Sequence, residues 1–257
     1  MNIIISGALG RMGKELLESA NTAGIGVVCG VDAAYQGQPA SLPMVASCDE
    51  LTGAADALID FSRPEALPGL LAFCERHNVP CVLCATGYTD AELQRIAEAS
   101  RRLPILRSAN MSLGINVMEQ LVSMAAKALG EGYDIEIVEK HHRMKVDSPS
   151  GTALMLYDSA CGAVNTEITP VFGRHGRAQK RAKGDIGLHA IRGGTVVGEH
   201  EVGFYGEGEQ VLLTHRAESR VLFAQGALRA ARFLAGKPAG LYSMRDVVLE
   251  MLAKVSN

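Results

Sequence analysis

"MNIIISGALGRMG" (residues 1–13) runs from a β-rich stretch straight into three glycines, Gly7, Gly10 and Gly13, and then into a helical pattern. Glycine there permits a tight turn and lets the backbone approach a ligand closely, while the following helix N-terminus faces an anion. Many tight turns share such glycine spacing. The order of strand, glycines, helix, second strand and an acid is more specific, and Asp32 closes the second strand at about 20 residues' distance. The stretch therefore predicts a dinucleotide site at the first βα turn. Ala33 follows Asp32 where an arginine would receive a 2′-phosphate. NADH is thus expected to serve at least as well as NADPH, with Arg11 the one nearby cation that could accept the latter.

Outward from this turn, short apolar runs alternate with helical ones through the first hundred residues. "NIIIS", "GVVCGVD", "ADALIDF", "VPCVLCATG" and "LPILRSAN" read as strands. Between them lie helices over Arg11–Ala23, "RPEALPGLLAFCERHN" and "TDAELQRIAEAS", the last opening with Thr89 and Glu92 in capping-box spacing. Near-continuous apolar strands alternating with helices imply a parallel sheet covered on both faces. Ligands of such sheets meet the carboxyl ends of the strands, so 60–64, 84–87 and 108–112 are further candidates, though plain turn chemistry would explain each.

From Met111 the pattern changes. A long helix, an alternating strand "YDIEIVEKHH", a helix starting at Ser-Gly-Thr and three glycine-punctuated strands follow, with "FYGEGEQ" as a hairpin loop. Two helices end the chain. The expected class is α/β: an N-terminal parallel-sheet domain and then an α+β domain. Pattern leaves open which domain takes the last helices.

Composition excludes little but points one way. Hydrophobic residues make up 47% and charged residues 21%, with a net charge of −3, so nothing global favours nucleic acid or an anionic membrane. No run is apolar enough to span a bilayer, and glycine arrives too early for a signal peptide, so a cytoplasmic protein is expected. Cys81 and Cys84 spell CxxC, but three residues apart on a strand they face opposite ways and no second pair completes a zinc site. The basic run "GRHGRAQKRAKG" (173–184) reads as a solvated loop able to lend positive potential to an anion site.

"EKHHRMKVDSPSGTA" (139–153) gathers His141, His142 and Lys145 ahead of a helix start at Ser150, Gly151 and Thr152. Helix-start N–H groups suit a carboxylate, a lysine supplies a fixed charge, and histidine gives a proton near neutrality. Adjacent histidines chelate poorly, so no metal is expected. Joined to a nicotinamide site, the segment suits reduction of a small dianion. Exposed polar loop residues are the plainer alternative.

The segment resembles the signature of the 4-hydroxy-tetrahydrodipicolinate (dihydrodipicolinate) reductases of lysine and diaminopimelate biosynthesis. The resemblance extends to "GALGRMG", "IDFSRPEA", "ATG", "SANMSLGINV", "IRGGTVVGEH", "THRAESR" and "GLYSMRDVV". It implies a Rossmann-type domain over 1–111 and 221–257, and a substrate and oligomerisation domain with a mixed open sheet over 112–220. It implies His141 as proton donor, with Lys145 a second catalytic or orienting group. His142, Ser150, Gly151 and Thr152 would meet the dicarboxylate. Gly7, Ala8, Leu9, Gly10, Arg11, Met12, Asp32, Cys84, Ala85, Thr86, Ser108, Ala109, Asn110 and Met111 would line NADH or NADPH. A homotetramer is implied as well. Another two-domain amino-acid dehydrogenase and a non-catalytic nicotinamide sensor are the rivals.

Overall fold

The computed structural model describes residues 1–163, 168–177 and 180–255. The chain forms two compact units, Met1–Leu113 with Arg220–Asn257, and Gly114–Ser219.

The first unit opens with β1 (Asn2–Ser6), α1 (Arg11–Thr22), β2 (Gly26–Val31), β3 (Met44–Val45), β4 (Ala57–Asp60), α2 (Leu67–His77), β5 (Cys81–Leu83), α3 (Asp90–Ala99) and β6 (Pro104–Arg107). The two prolines of the α2 region do not break it. Pro64 opens a 3-10 turn and Pro68 sits in the first turn of α2, where a missing N–H costs nothing. Thr89 and Glu92 form the expected capping box of α3, an arrangement whose loss costs about 1 kcal/mol.

The second unit contains α4 (Leu113–Leu129), β7 (Asp134–His141), α5 (Gly151–Cys161), β8 (Thr169–Phe172), β9 (Asp185–Arg192), β10 (Gly198–Tyr205) and β11 (Gln210–Ala217). The order β11-β10-β7-β9-β8 is mixed: β10 runs antiparallel to β11 and β7, while β7, β9 and β8 are parallel. Ile135 and Ile137 of β7 pack with Val202 and Phe204 against α4 and α5. By strand alternation Glu139 and His141 point to that same covered face.

The chain then returns to the first unit as α6 (Val221–Leu234), β12 (Gly240–Tyr242) and α7 (Met244–Val255). β12 completes a seven-stranded, all-parallel sheet of order β12-β6-β5-β4-β1-β2-β3. One face packs Ile3, Ile5, Val82 and Cys84 against α1 and α6. The other packs Leu58, Cys81 and Ile105 against α2 and α3. Cys81 and Cys84 thus lie in different cores, as strand alternation requires, and all six cysteines are free. Two-, three- and four-residue strands such as β3, β12 and β8 carry too few residues to show a period. No described helix is long and apolar enough to cross a membrane.

The basic run is mostly exposed, as expected of a solvated loop, but part of its charge is paired. Arg174 pairs with Glu136 and Asp185, Arg181 with Asp134 and Glu136, and Lys183 with Glu131. Three of its cations are thus partnered by nearby acids, which reduces the positive potential the run can lend. Ala178 and Gln179 of the run lie outside the described residues.

Candidate active site

The glycine loop is built as its spacing predicts. Gly7 has φ +77°, and a Cβ there would stand 2.8 Å from the Phe61 carbonyl carbon. A Cβ on Gly13 would stand 2.2 Å from the Gly7 oxygen, so any side chain would push α1 off the strand end. Gly7 and Ala8 N–H groups donate to the Val31 oxygen at 2.9 and 3.2 Å, and Gly10 N–H donates to Gly7 at 3.1 Å. α1 starts after Gly10 without a side-chain cap, leaving its first-turn N–H groups suited to a pyrophosphate. Asp32 accepts from Leu9 N–H at 2.9 Å and Ala34 N–H at 3.0 Å, which ties the acid directly to the loop. Arg11 and Gly10 are exposed and Met12 is half-buried. This cradle fits a dinucleotide.

The neighbouring strand ends contribute differently. Asp60 is buried, and its carboxylate accepts from Ser62 N–H at 3.0 Å and from Ser62 Oγ at 2.5 Å. Burial pushes this carboxyl up against the opposing bonds from Ser62 and Ser6. The turn beside Gly7 is thereby held in place. After β5, Cys84 and Ala85 are buried and Thr86 is exposed. The Cys84 side chain belongs to the core, so only its backbone is available to a ligand. After β6, Ser108 Oγ donates to the Asn110 oxygen at 2.8 Å and Asn110 Oδ1 accepts from Ser112 N–H at 2.8 Å. Ala109 is exposed, whereas Met111 is 2% exposed and packs against α6, where a Cβ on Gly226 would overlap the Met111 carbonyl oxygen. The Met111 side chain is a core residue rather than a lining one.

In the second unit, β7 ends at His141, as the double histidine suggests, and the chain bends away. The bend is held by Gly193 N–H to the His141 oxygen (2.9 Å), His142 N–H to Val196 (2.8 Å) and Lys145 N–H to His142 (3.1 Å). His141 Nδ1 lies 2.5 Å from Glu139 Oε2. Arg192, at the end of β9, forks onto both Glu139 oxygens at 2.7 Å each and reaches the Asp147 carbonyl at 2.7 Å. Burial lowers the His141 pKa below its ordinary value, and the opposing pull of Glu139 does not fully offset it.

Lys145 pairs with Asp147 at 2.8 Å. Burial pushes the Asp147 carboxyl up, but Lys145 and the Gly151 N–H hold it below its usual range. Gly151 is exposed, with open space around it, and Thr152 is half-buried. Ser150 has a different task from the one expected of it. Its hydroxyl caps α5 by accepting from Ala153 N–H at 3.2 Å and meets His200 Nε2 at 3.1 Å, and its own N–H donates to Glu139 at 3.0 Å. At 2% exposed, Ser150 builds the helix start rather than presenting itself to a ligand.

Glu139, Arg192, Gly198 and His200 were not singled out from the sequence. Alternation links Glu139 to His141, and Arg192, Gly198 and His200 lie in the stretch "IRGGTVVGEH" but reach the site only through sheet pairing. Among the described residues no group of His, Cys, Asp and Glu could hold a metal ion.

Comparison with known proteins agrees along nearly the whole chain. Residues 1–111 match the family model "Dihydrodipicolinate reductase, N-terminus", and residues 114–248 match "Dihydrodipicolinate reductase, C-terminus". A 4-hydroxy-tetrahydrodipicolinate reductase of Caldanaerobacter subterraneus subsp. tengcongensis is 46% identical over 249 residues, covering 96% of this chain and 98% of that one. The Clostridium novyi protein of that name is 45% identical over 247 residues, covering 96% and 97%. Among solved structures, the dipicolinate-bound dihydrodipicolinate reductase from Paenisporosarcina sp. TG-14 shares the fold. Its TM-score is 0.78 at 24% identity, covering 95% of this chain and 97% of that one.

Proposed function

The chain belongs to the dihydrodipicolinate reductase family, and from that premise we propose how its own residues divide the work. It is an oxidoreductase of lysine and diaminopimelate biosynthesis that reduces 4-hydroxy-tetrahydrodipicolinate with NADH or NADPH. The rival amino-acid dehydrogenase and sensor readings are set aside.

The nicotinamide supplies the hydride when bound. Gly7, Ala8, Leu9, Gly10, Arg11 and Met12 receive the pyrophosphate on the open start of α1, and Asp32 accepts from the adenosine ribose. Thr86 and the backbone of Cys84 and Ala85 complete the lining together with Ser108, Ala109 and Asn110. In the second unit, Gly151 N–H and Thr152 hold one ring carboxylate, while Lys145 and His142 hold the other. Once the 4-hydroxyl has left as water, giving the dihydro ring, hydride adds to ring C4 and His141 protonates the neighbouring carbon, directly or through a water. The pairing of Glu139 with His141 Nδ1 carries this reading, because it commits that nitrogen and leaves Nε2 as the proton-transfer atom.

The first unit is the dinucleotide domain, and the second binds substrate and assembles four copies. Ile191, Tyr205 and Leu212 support the assembly, since by strand alternation they lie partly exposed on the sheet face away from α4 and α5. Light scattering should report a tetramer, and a monomer at micromolar concentration would overturn that part.

The catalytic reading is tested by generating the substrate in situ from pyruvate and aspartate semialdehyde with its synthase, then following nicotinamide absorbance. Oxidation that depends on the synthase supports it. No oxidation from protein that binds both cofactors would sink it.

A further inference from the structure

Glu139 is 1% exposed, and a carboxylate removed from water survives ionised only if its oxygens are fully engaged. Here they are. Oε1 accepts from Arg192 Nη2 at 2.7 Å and from Ser150 N–H at 3.0 Å. Oε2 accepts from Arg192 Nη1 at 2.7 Å and lies 2.5 Å from His141 Nδ1. Burial pushes this carboxyl up, but Arg192, His141 and Ser150 together hold it below the usual range. It is an anion that can only accept.

We propose that Glu139 is a positioning residue of the reduction, a single buried anion that fixes the proton donor His141 and the α5 start in one geometry, with Arg192 setting how much of its charge His141 feels. The proposal rests on the reading of His141 as proton donor.

Three consequences follow from the contacts. An acceptor at Nδ1 requires a proton on that nitrogen, so the proton that comes and goes is on Nε2. The same carboxylate holds Ser150, so Gly151 and Thr152 are placed relative to His141 through one group rather than through a flexible loop. Finally, Arg192 shares the anion. A carboxylate facing His141 alone would favour a permanent imidazolium, which gives up its proton poorly. With two of its four contacts spent on a guanidinium, Glu139 orients the ring without overcharging it.

The other groups facing His141 are Lys145 from the bend, paired with Asp147, and His200 from β10. Lys145 and Arg192 disfavour a proton on His141. Removing Glu139 or Arg192 should therefore move His141 in opposite directions, which loss of packing alone would not do.

The test uses the full chain with 13C-labelled histidine, the His141 signal being assigned by its disappearance in His141→Gln. In Glu139→Gln the His141 midpoint should fall by roughly a unit. The proton should no longer be confined to Nδ1, and kcat should drop about tenfold or more with KM for NADH unchanged. In Arg192→Gln the midpoint should rise. Glu139→Asp, which keeps the charge, should restore part of the midpoint and of kcat. If Glu139→Gln fails to fold, Arg192→Lys takes its place and should raise the midpoint by less than Arg192→Gln. Midpoints that stay within about 0.2 units of wild type, Glu139→Gln and Arg192→Gln midpoints that move the same way, or an Arg192→Lys midpoint that rises as far as that of Arg192→Gln, overturn the proposal. Absence of synthase-dependent oxidation in the wild type would instead strike the proton-donor reading, and the midpoints would still decide whether Glu139 and Arg192 control His141.

Discussion

His200 meets His141 edge-on, with ring centroids 5.1 Å apart and planes inclined at 73°. His200 is 4% exposed, its Nε2 is engaged by Ser150 Oγ, and its Nδ1 has no hydrogen-bond partner among the described residues. Burial first, and the charge of a protonated His141 second, push its pKa from 6.5 down to about 3. One ring of the pair is thus kept neutral beside the ring proposed to exchange a proton.

That depression makes folding stability depend on pH. Below 6.5 the unfolded chain protonates His200 while the native chain does not, so stability falls as pH drops from 6.5 toward about 3, at up to about 1.4 kcal/mol per unit. The depressed Glu139 adds to acid loss only below its ordinary 4.5. Urea unfolding of His200→Gln between pH 6.5 and 5 should show a shallower loss than wild type. It should not be flat, because burial also holds His141 and His215 down.

Replacing the proton donor should separate chemistry from binding. His141→Gln is expected to lower kcat by about 10²- to 10⁴-fold and to leave NADH affinity, measured by fluorescence titration, unchanged.

Gly198 guards the space beside that donor. A Cβ there would stand 3.0 Å from His141 Nε2, so Gly198→Ala should turn the ring or block it. Turnover should fall on the order of 10- to 100-fold, with the melting temperature moving little. Unchanged turnover would mean that Nε2 is not the working atom.

Asp147 holds Lys145 and the Gly151 N–H, two groups assigned to the substrate carboxylates. A bound dianion has to compete with it. Asp147→Asn should lower KM for the dicarboxylate roughly two- to tenfold, visible equally as tighter inhibition by pyridine-2,6-dicarboxylate. A higher KM would show instead that Asp147 serves to orient Lys145.

Asp32 is the residue proposed to meet the adenosine ribose, where a 2′-phosphate would also have to sit. Asp32→Ala should raise the NADPH-to-NADH rate ratio about tenfold, the equivalent of about 1.4 kcal/mol. It should also cost some affinity for both, because the Leu9 N–H loses its acceptor. Parallel assays with the two cofactors measure both effects.

Features carried by neighbours in the chain were legible in advance. The glycine loop, the Thr89–Glu92 cap, the opposed faces of Cys81 and Cys84 and the bend after His141 each depend on spacings of a few residues, where backbone geometry allows few outcomes. Features made by chain crossing were not. Arg192 is 53 residues from Glu139 and His200 is 50 from Ser150, and although both lie in the stretch "IRGGTVVGEH", nothing in it marks Glu139 or Ser150 as their partners. The ion pairs of the basic run were hidden for the same reason, since the acids that meet Arg174 and Arg181 arrive mainly from β7. A titratable side chain announces its chemistry in the sequence. Whether it is charged, buried, paired or free is decided by the neighbours that strand pairing brings to it, because desolvation and Coulomb attraction act through space and not along the chain.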